Sequence, residues 1–328
     1  MRKLIVLLLG LFFSLSAMAN VRVPERMKFC GIDLTLNSAA RSYISNVIAK
    51  LKPGSTYFQS LVKRADIYFP FVEAAFAEAE VPEDLKYIVL QESALRGGVV
   101  SASKAVGFWQ FKEASAREVG LVIDHKIDER KHIFRSSLGA ARYFYRINRD
   151  FDNWVYAIIG YNRGPYGAIP YTDKRYYGKR KMTLTGKTHW YALKAIGYKL
   201  AFEHALGKSQ PNVWVEPKST NGETSVSRLA RMNGLDVAEF KKENLWIKGN
   251  TLPEGQKFTY YVRHKGAAIA SRMQHAKDEL KGKQVGGKPA PQPTPKPAIQ
   301  QQRIRGFNYA NARKDPAYGH DYVQARPG

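Results

Sequence analysis

A carboxylate stands in residues 81–93 at a position where the helical pattern calls for an apolar side chain. This segment, VPEDLKYIVLQES, begins with a proline and two acidic residues, which suit the first turn of a helix. Counting from Leu85, the apolar face takes Ile88 and Val89, and its next position falls on Glu92. Glu92 is therefore the first candidate for chemistry.

Two interpretations of Glu92 fit this pattern. In the structural one, the carboxylate belongs to a buried ion pair or to a helix end that has reached solvent, since Gly97 and Gly98 follow closely. In the functional one, Glu92 is a general acid, because desolvation disfavours the charged form and can bring the pKa of a glutamic acid to about 6–7. Such a proton can be delivered to a leaving oxygen at neutral pH. The pattern alone does not decide between them.

The segments around Glu92 decide in favour of chemistry. Ser93 directly follows the acid, and the later segments are SASKAVGFWQF (residues 101–111), KIDER (126–130), GYNRGPYGAI (160–169) and THWYALKAI (188–196). In this order and spacing they resemble the Glu-Ser pair, the Ser-x-x-x-Ala-x-Gly-x-x-Gln block, and the VDER, AYNxG and Thr-x-x-Tyr-Val segments of the lytic transglycosylases of glycoside hydrolase family 23. The resemblance is closest to the membrane-bound lytic transglycosylase D branch. It covers residues 33–206 and continues more weakly to residue 262.

The resemblance implies a role for each matched residue. Glu92 is the catalytic acid, and then the base, at the bond between N-acetylmuramic acid and N-acetylglucosamine. Asn162 lies near an acetamido group, and Gly107 lets the backbone approach the ligand because it has no Cβ. Tyr161 and Tyr191 line the cleft beside the acid. Substrate contacts are implied for Ser93, Ser101, Gly107, Trp109, Gln110, Tyr161, Asn162 and Tyr191.

The reaction implied by the resemblance uses a single carboxylate. Most glycosidases need two, about 5–5.5 Å apart for retention or about 6.5–9.5 Å apart for inversion, and no second acid stands in the matched cleft segments. A lytic transglycosylase instead lets the muramyl C6 hydroxyl attack C1 of the same sugar, which leaves a 1,6-anhydromuramyl end. Two alternatives stay open, a hydrolytic muramidase at the same site and a non-catalytic wall-binding scaffold. No metal or cofactor is expected, because the histidines lack paired ligand spacing and no Gly-rich phosphate loop is present.

Three positions depart from the family pattern, and two of them are cations. Lys104 and Arg163 stand where the family has small or uncharged residues, and they either contact stem-peptide carboxylates or point to solvent. Ala192 replaces a valine beside Tyr191. The basic segment, residues 173–187, carries six lysines or arginines against one aspartate, and either lies along anionic glycan or forms a solvated loop.

The matched segments lie on a chain whose apolar residues recur at three and four from residue 38 to residue 206. Gly and Pro residues interrupt these runs, and no alternation is long enough to predict a sheet. We therefore predict a mainly α protein with an all-helical domain over residues 20–208, called the helical domain below. The resemblance implies that this domain is lysozyme-like and catalytic. Residues 128–130 are interpreted as a helix cap with an ion pair.

A second module is predicted over residues 213–265. Strands at residues 213–215 and 258–262 flank helices over Val226–Met232 and Val237–Glu243, with Asp236 placed to cap the second helix. This small βααβ unit resembles a LysM module, whose family binds N-acetylglucosamine glycans. The resemblance predicts a peptidoglycan-binding module in a single, degenerate copy.

The remaining segments indicate export and an anionic partner. Residues 1–19 combine two basic residues, a short apolar run and Ala17-Met18-Ala19, which predicts a cleavable signal peptide and a periplasmic location. Residues 266–328 form a basic, Pro-rich tail that is expected to be disordered. The net charge of +24 in an exported chain favours peptidoglycan strands, with peripheral contact to wall or membrane, over nucleic acid. We expect a monomer with no membrane span and, with one cysteine, no intramolecular disulfide.

Overall fold

The computed structural model describes residues 21–209, 211–221, 224–254 and 257–266. The predicted signal peptide and residues 267–328 of the predicted tail lie outside this range. Within the described residues, no helix combines the length and the apolar composition that crossing a bilayer would require.

The helical domain is built from helices of widely differing length. They are α1 (Ser38–Leu51), α2 (Thr56–Glu78), α3 (Ile88–Ser93), α4 (Glu113–Glu118), α5 (Ile133–Phe151), α6 (Trp154–Arg163), α7 (Pro165–Ala168) and α8 (Trp190–Phe202). Short 3-10 helices lie at Glu83–Tyr87, Glu129–Lys131, Ile169–Tyr171 and Lys174–Tyr176. Asn37, Ser55 and Asn153 accept backbone N–H groups at the starts of α1, α2 and α6, as good N-caps do. The mainly helical prediction is confirmed.

The prediction that this domain contains no sheet is wrong. β1 (Arg26–Phe29) and β2 (Ile32–Leu36) form an antiparallel hairpin, and β3 (Lys181–Leu184) pairs in parallel with β2. Every second residue of β2 and β3 is buried, so the two-residue period exists. It extends over only four or five residues in each strand, which is too short to be recognised in the sequence. Because β3 lies inside the basic segment, that segment is not simply a solvated loop.

The main core lies between the long helices and brings α3, α6 and α8 together. α2 packs on α5, α5 packs on α6, and α8 contacts α1, α3 and α6. This core contains large side chains that are fully buried, among them Phe71, Phe76, Trp109, Phe144, Tyr156 and Phe202. The ends of α3 and α8 and the face of α6 are therefore held on a rigid support.

The second module has the predicted order of helices between two outer strands. Its elements are β4 (Val213–Asn221), β5 (Thr224–Ser225), α9 (Val226–Met232), α10 (Val237–Glu243), β6 (Thr251–Leu252) and β7 (Lys257–Lys265). β4 pairs antiparallel with β7 over nine residues, so both strands are longer than predicted. Both helices have the predicted bounds, and the Asp236 side chain accepts the N–H of Glu239 at 2.7 Å. A glycan-binding role for this module stays a prediction.

The helical domain and the second module exchange core residues. Ile127, from the helical domain, is fully buried within the smaller core formed by the second module. In return, Val215 and Tyr261 belong to the main core, where the Tyr261 ring meets that of Phe71 at 5.2 Å. A backbone hydrogen bond also joins the two parts: the N–H of Asp128 donates to the carbonyl of Trp246 at 2.8 Å.

Buried polar groups cross the same boundary. The Tyr68 hydroxyl donates to Glu243 at 2.7 Å, and Arg263 binds both that carboxylate and the tyrosine oxygen. His132 lies between the rings of Trp246 and Tyr261, and its Nε2 lies 3.1 Å from the carbonyl of Thr259. Its Nδ1 accepts the N–H of Arg135 at 3.2 Å, so the two bonds together require a neutral ring.

We expect His132 to make the free energy of unfolding depend on pH. Burial, aided by the nearby Arg135 cation, lowers the pKa of His132 to about 3, whereas an unfolded histidine titrates near its ordinary value of 6.5. As pH falls below about 6.5, the unfolded chain therefore binds a proton that the folded chain does not. This single group removes about 1.4 kcal/mol of stability per pH unit between about pH 6 and pH 4.

Urea unfolding of the wild type and of His132→Gln over this pH range measures the effect. The variant should be less stable at pH 7.5 but show a slope shallower by about 1.4 kcal/mol per pH unit. His204→Gln is the control, because the side chain of His204 is 83% exposed. Identical slopes in the wild type and His132→Gln would contradict the assignment.

Candidate active site

Glu92 is the penultimate residue of α3, at a helix end held in an uncommon backbone conformation. The side chain is partly exposed, unlike its neighbours Gln91 and Ser93, which are buried. Ala94 and Leu95 follow with φ of 54° and 56°, a left-handed region that non-glycine residues rarely occupy. Strain of this kind persists only where the surroundings enforce it, and it is concentrated at functional sites.

Several tethers hold this helix end. The Ser93 hydroxyl donates to the carbonyl of Phe108 at 2.7 Å and accepts the N–H of Arg96 at 3.2 Å. The Arg64 guanidinium donates to the carbonyl of Ala94. Because Ser93 is 4% exposed and its hydroxyl is already bonded twice, the side chain fixes the position of Glu92 rather than presenting a free group to a sugar. The sugar contact implied for Ser93 is therefore corrected to a positioning role.

Tyr191 reaches Glu92 from the first turn of α8. Its hydroxyl donates to Oε1 of Glu92, and the rest of its side chain is fully buried. His189 caps α8 and accepts the N–H of Tyr191 at 3.3 Å through Nδ1. Burial, with a further contribution from the Arg163 cation, lowers the pKa of His189 to about 4, which keeps this acceptor neutral at physiological pH. The replacement of valine by Ala192 leaves Tyr191 in contact with the acid.

Tyr161 approaches the same carboxylate from α6. Burial raises its pKa well above the ordinary value, and the negative charge of Glu92 raises it further. Its hydroxyl donates to the carbonyl of Trp109 at 2.8 Å, and its ring stacks on Phe144 at 4.4 Å. Glu92, Tyr161 and Tyr191 therefore form one cluster. Their roles toward a substrate stay a prediction.

The turn that holds Gly107 and Gln110 forms the wall behind Ser93. Gln110 has φ of 51°, and its amide nitrogen donates to the carbonyl of Gly107 at 2.9 Å and to that of Val99 at 3.2 Å. The Ser101 hydroxyl accepts the N–H of Ala105 at 3.0 Å and bonds with Ser103. In this structure Ser101 and the Gln110 amide nitrogen stabilise the turn itself.

Gly107 is required for a contact within the protein, and the close approach of a ligand that the resemblance implies stays a prediction. Its φ is 85°, and a Cβ at this position would lie 1.9 Å from the carbonyl oxygen of Arg130. Arg130 is in turn fixed by Asp128, through bonds of 2.9 and 2.8 Å. Asp128 also caps the 3-10 helix Glu129–Lys131, so the structural interpretation of residues 128–130 is confirmed.

Gly107→Ala is expected to destabilise the fold by at least about 3 kcal/mol, because backbone strain adds to a collision with another backbone. Gly31→Ala is the matched control: its φ is 75°, but a Cβ there meets nothing within 4 Å. That substitution should cost only about 1 kcal/mol. Denaturant unfolding measures both, and equal losses would show that the contact with Arg130 is unimportant.

Trp109 is not available to a substrate. The residue is 0% exposed, its Nε1 donates to the Ser137 hydroxyl at 2.9 Å, and its ring packs against Phe76 and Phe144. The sugar contact implied for Trp109 is therefore wrong, because a fully buried ring cannot stack on a sugar. Three rings in or beside the matched segments are exposed instead: Tyr166 is 78% exposed, Tyr171 42% and Trp190 37%.

Asn162 carries an unused donor. The residue is 4% exposed, and its Nδ2 has no hydrogen-bond partner among the described residues. A buried amide nitrogen without an acceptor is costly, and in native proteins such groups call for an explanation. A ligand oxygen would provide the missing acceptor, which agrees with the acetamido contact that the resemblance implies.

The sequence pattern did not identify Lys194, a further group that acts on Glu92. Burial lowers the pKa of Lys194, and the charge of Glu92 acts in the opposite direction. The ammonium group lies over the rings of Tyr198 and Trp190, at 5.7 and 6.0 Å from their centroids. Lys194 follows Tyr191 by three residues on α8, which is the spacing of one helical face and the signal that was available.

Among the described residues, no group of three or more histidine, cysteine or acidic side chains is placed to hold a metal ion.

Comparison with known proteins finds that the region around this site is similar to a known class of domain. Residues 69–183 match the family described as Transglycosylase SLT domain. This segment includes Glu92, the 101–111 turn and α6, so the part of the chain that carries the acid is similar to an SLT domain. The predicted resemblance to lytic transglycosylases is confirmed.

Two curated relatives have the same name and the same degree of similarity. The chain is 22% identical over 237 residues to membrane-bound lytic murein transglycosylase D of Escherichia coli strain K12 and to its counterpart in E. coli O6:H1 strain CFT073. The match covers 68% of this chain and 52% of each relative. The chain thus spans about half the length of the curated relatives it matches.

Proposed function

We propose that this protein is a lytic transglycosylase of peptidoglycan, acting on the β-1,4 bond between N-acetylmuramic acid and N-acetylglucosamine. The observation that carries the proposal is a partly exposed glutamate, Glu92, that is bonded to a buried tyrosine within a matched SLT domain. The name of the E. coli relatives, lytic murein transglycosylase, supports the same substrate class.

In the first step, Glu92 donates its proton to the glycosidic oxygen. The C1–O bond breaks, the N-acetylglucosamine side leaves with a new hydroxyl, and positive charge develops at C1 of the muramyl sugar. The acetamido group of that sugar stabilises the charge, so no second carboxylate is required. The unused Asn162 Nδ2 is suited to hold an acetamido oxygen.

In the second step, the ionised Glu92 accepts the proton of the C6 hydroxyl of the same sugar. The C6 oxygen attacks C1, which closes the 1,6-anhydro ring and returns Glu92 to its protonated form. No water is consumed, and the tethered hydroxyl has the large proximity advantage of an intramolecular nucleophile.

The neighbours of Glu92 fit a group that changes charge twice in each cycle. The Tyr191 hydroxyl holds one oxygen of the carboxyl group through its hydrogen bond. The Lys194 cation is close enough to interact with the carboxylate, so it favours the ionised form that the second step needs. Both groups stand on α8.

The wider setting proposed for this activity is the bacterial cell wall. We propose a monomer that is exported to the periplasm through the segment of residues 1–19 and associates with the wall through its positive charge. The LysM-like second module would add a further contact with glycan.

Mass spectrometry of the soluble products from purified sacculi tests the proposal. Anhydromuramyl ends are expected. Reducing muramyl ends would identify a muramidase instead, and the absence of product with the folded protein would indicate a wall-binding scaffold. Glu92→Gln protein provides the blank for each sample.

A further inference from the structure

Arg163 is a cation whose Nε lacks a hydrogen-bond acceptor and whose charge lacks an acidic partner among the described residues. It ends α6, immediately after Asn162, at a position where the family pattern has a small residue. Its Nε is buried and has no hydrogen-bond partner, and no ion pair joins Arg163 to an acidic side chain of the described residues. Burying a guanidinium nitrogen without an acceptor is unfavourable, so the position calls for an oxygen from elsewhere.

The surroundings of Arg163 connect it to the active site. Its guanidinium carbon lies 6.0 Å from the centroid of the partly exposed Tyr171 ring, and that ring meets His189 at 4.5 Å. The Arg163 cation also contributes to the lowered pKa of His189, which caps α8 directly before Trp190 and Tyr191. We call these three residues, Arg163, Tyr171 and His189, the Arg163 cluster. Its member His189 is hydrogen-bonded to the backbone of Tyr191, the tyrosine whose hydroxyl binds Glu92.

A simpler role is open to any cation in the last turn of a helix, namely stabilisation of the negative end of the helix dipole. That role needs only a charge near the helix end, and an exposed lysine would serve. It does not account for a buried Nε beside an aromatic ring at the surface. An arginine, with its several fixed donors, is suited to bind a carboxylate through two parallel hydrogen bonds.

We propose that Arg163 binds a carboxylate of the stem peptide attached to the muramyl sugar, so that the enzyme prefers peptide-bearing glycan to denuded glycan. The proposal rests on the proposed function, because it concerns the substrate of the same site. Stem peptides carry free carboxylates and are joined to the lactyl group of the sugar whose C1 reacts. A cation beside the acetamido-binding residue Asn162 is placed to meet such a group.

The experiment compares two substrates of equal glycan length, one bearing stem peptides and one from which an amidase has removed them. Initial rates are measured for the wild type, Arg163→Gln and Arg163→Lys. The matched control is Arg149→Gln, which removes an exposed cation from the last turn of α5, outside the matched cleft segments. Binding of a soluble N-acetylmuramyl tripeptide is measured by calorimetry in the Glu92→Gln background, which excludes turnover.

Arg163→Gln is expected to lower kcat/KM on peptide-bearing glycan about tenfold or more, mainly through KM, because a charge-assisted hydrogen bond is lost. Activity on denuded glycan should change less than twofold. Arg163→Lys should recover part of the loss, and tripeptide binding should weaken by a similar factor in Arg163→Gln. Arg149→Gln should match the wild type on both substrates.

Other outcomes overturn the inference in distinguishable ways. Equal losses on both glycans, with a lower melting temperature, would assign Arg163 to the helix end. No loss on either glycan would place its side chain in solvent. If the wild type released no product from either substrate, the proposed function itself would fail, whereas an active wild type with an unchanged substrate ratio would refute only the role of Arg163.

Discussion

Replacing Glu92 with glutamine is expected to abolish glycan cleavage while leaving the fold intact. Glutamine keeps the shape of the side chain and its bond to Tyr191 but removes the proton that the reaction transfers. General acid–base catalysis contributes about 10²–10⁴-fold for one such transfer, and this group acts twice. Turnover should therefore fall by at least about 10³-fold, and the melting temperature should change by no more than about 2 °C because Glu92 is partly exposed.

Glu129→Gln is the matched control for this substitution. Glu129 is a buried glutamate whose two oxygens bind Arg135 Nε at 2.9 Å and the N–H of Val122 at 2.8 Å. Its replacement leaves the partly buried Arg135 cation poorly compensated, so stability should fall by about 2–4 kcal/mol while the folded fraction retains its activity. Activity of Glu92→Gln within tenfold of the wild type would remove Glu92 from the mechanism.

Deleting the second module, by ending the chain at residue 208, is expected to abolish activity on every substrate. The shared cores mean that the deletion uncovers Ile127, Phe71 and His132, which are at most 4% exposed in the full chain. Each large apolar side chain returned to water costs about 1.5–3 kcal/mol, against a total stability of about 5–15 kcal/mol. It also removes the carbonyl of Trp246 that holds Asp128, and through it the Arg130–Gly107 contact behind the site.

Thermal unfolding and turnover, on sacculi and on short muropeptides in parallel, measure this outcome. Ile127→Ser should produce a milder version of the same loss on both substrates, about 2–5 kcal/mol, without removing any residue of the second module. Met232→Ser, on the outer face of α9 where Met232 is 69% exposed, is the control and should resemble the wild type. A stable truncated protein that fails only on sacculi would instead identify the module as a glycan-binding unit.

Much of the candidate site could be predicted because its residues are recognised by their spacing within short segments of the sequence. Glu92 interrupts an apolar helix face, and Tyr161 stands directly between Gly160 and Asn162 in its segment. Each segment forms short, local structure, such as the 101–111 turn or the start of α8, so the order of side chains along the chain survives in the structure. The helix bounds Val226–Met232 and Val237–Glu243 follow for the same reason, since a cap and an apolar face are local signals.

What could not be predicted depends on contacts between distant segments. β3 becomes a strand because β2, far away in the chain, offers it an open edge, and nothing near residue 181 records that partner. Trp109 was assigned to the substrate because aromatic rings suit sugars, but its burial is decided by α2 and α5. The effect of Lys194 on Glu92 likewise depends on how α8 crosses α3.

The exchange of core residues has a consequence for biosynthesis. A ribosome releases the helical domain first, and Ile127 then has no core to enter, because the side chains that enclose it are still to be translated. Val215 and Tyr261 are likewise missing from the larger core at that moment. The nascent helical domain therefore keeps apolar surface exposed until β7 of the second module emerges. A chaperone that binds unfinished chains should associate with it during this interval.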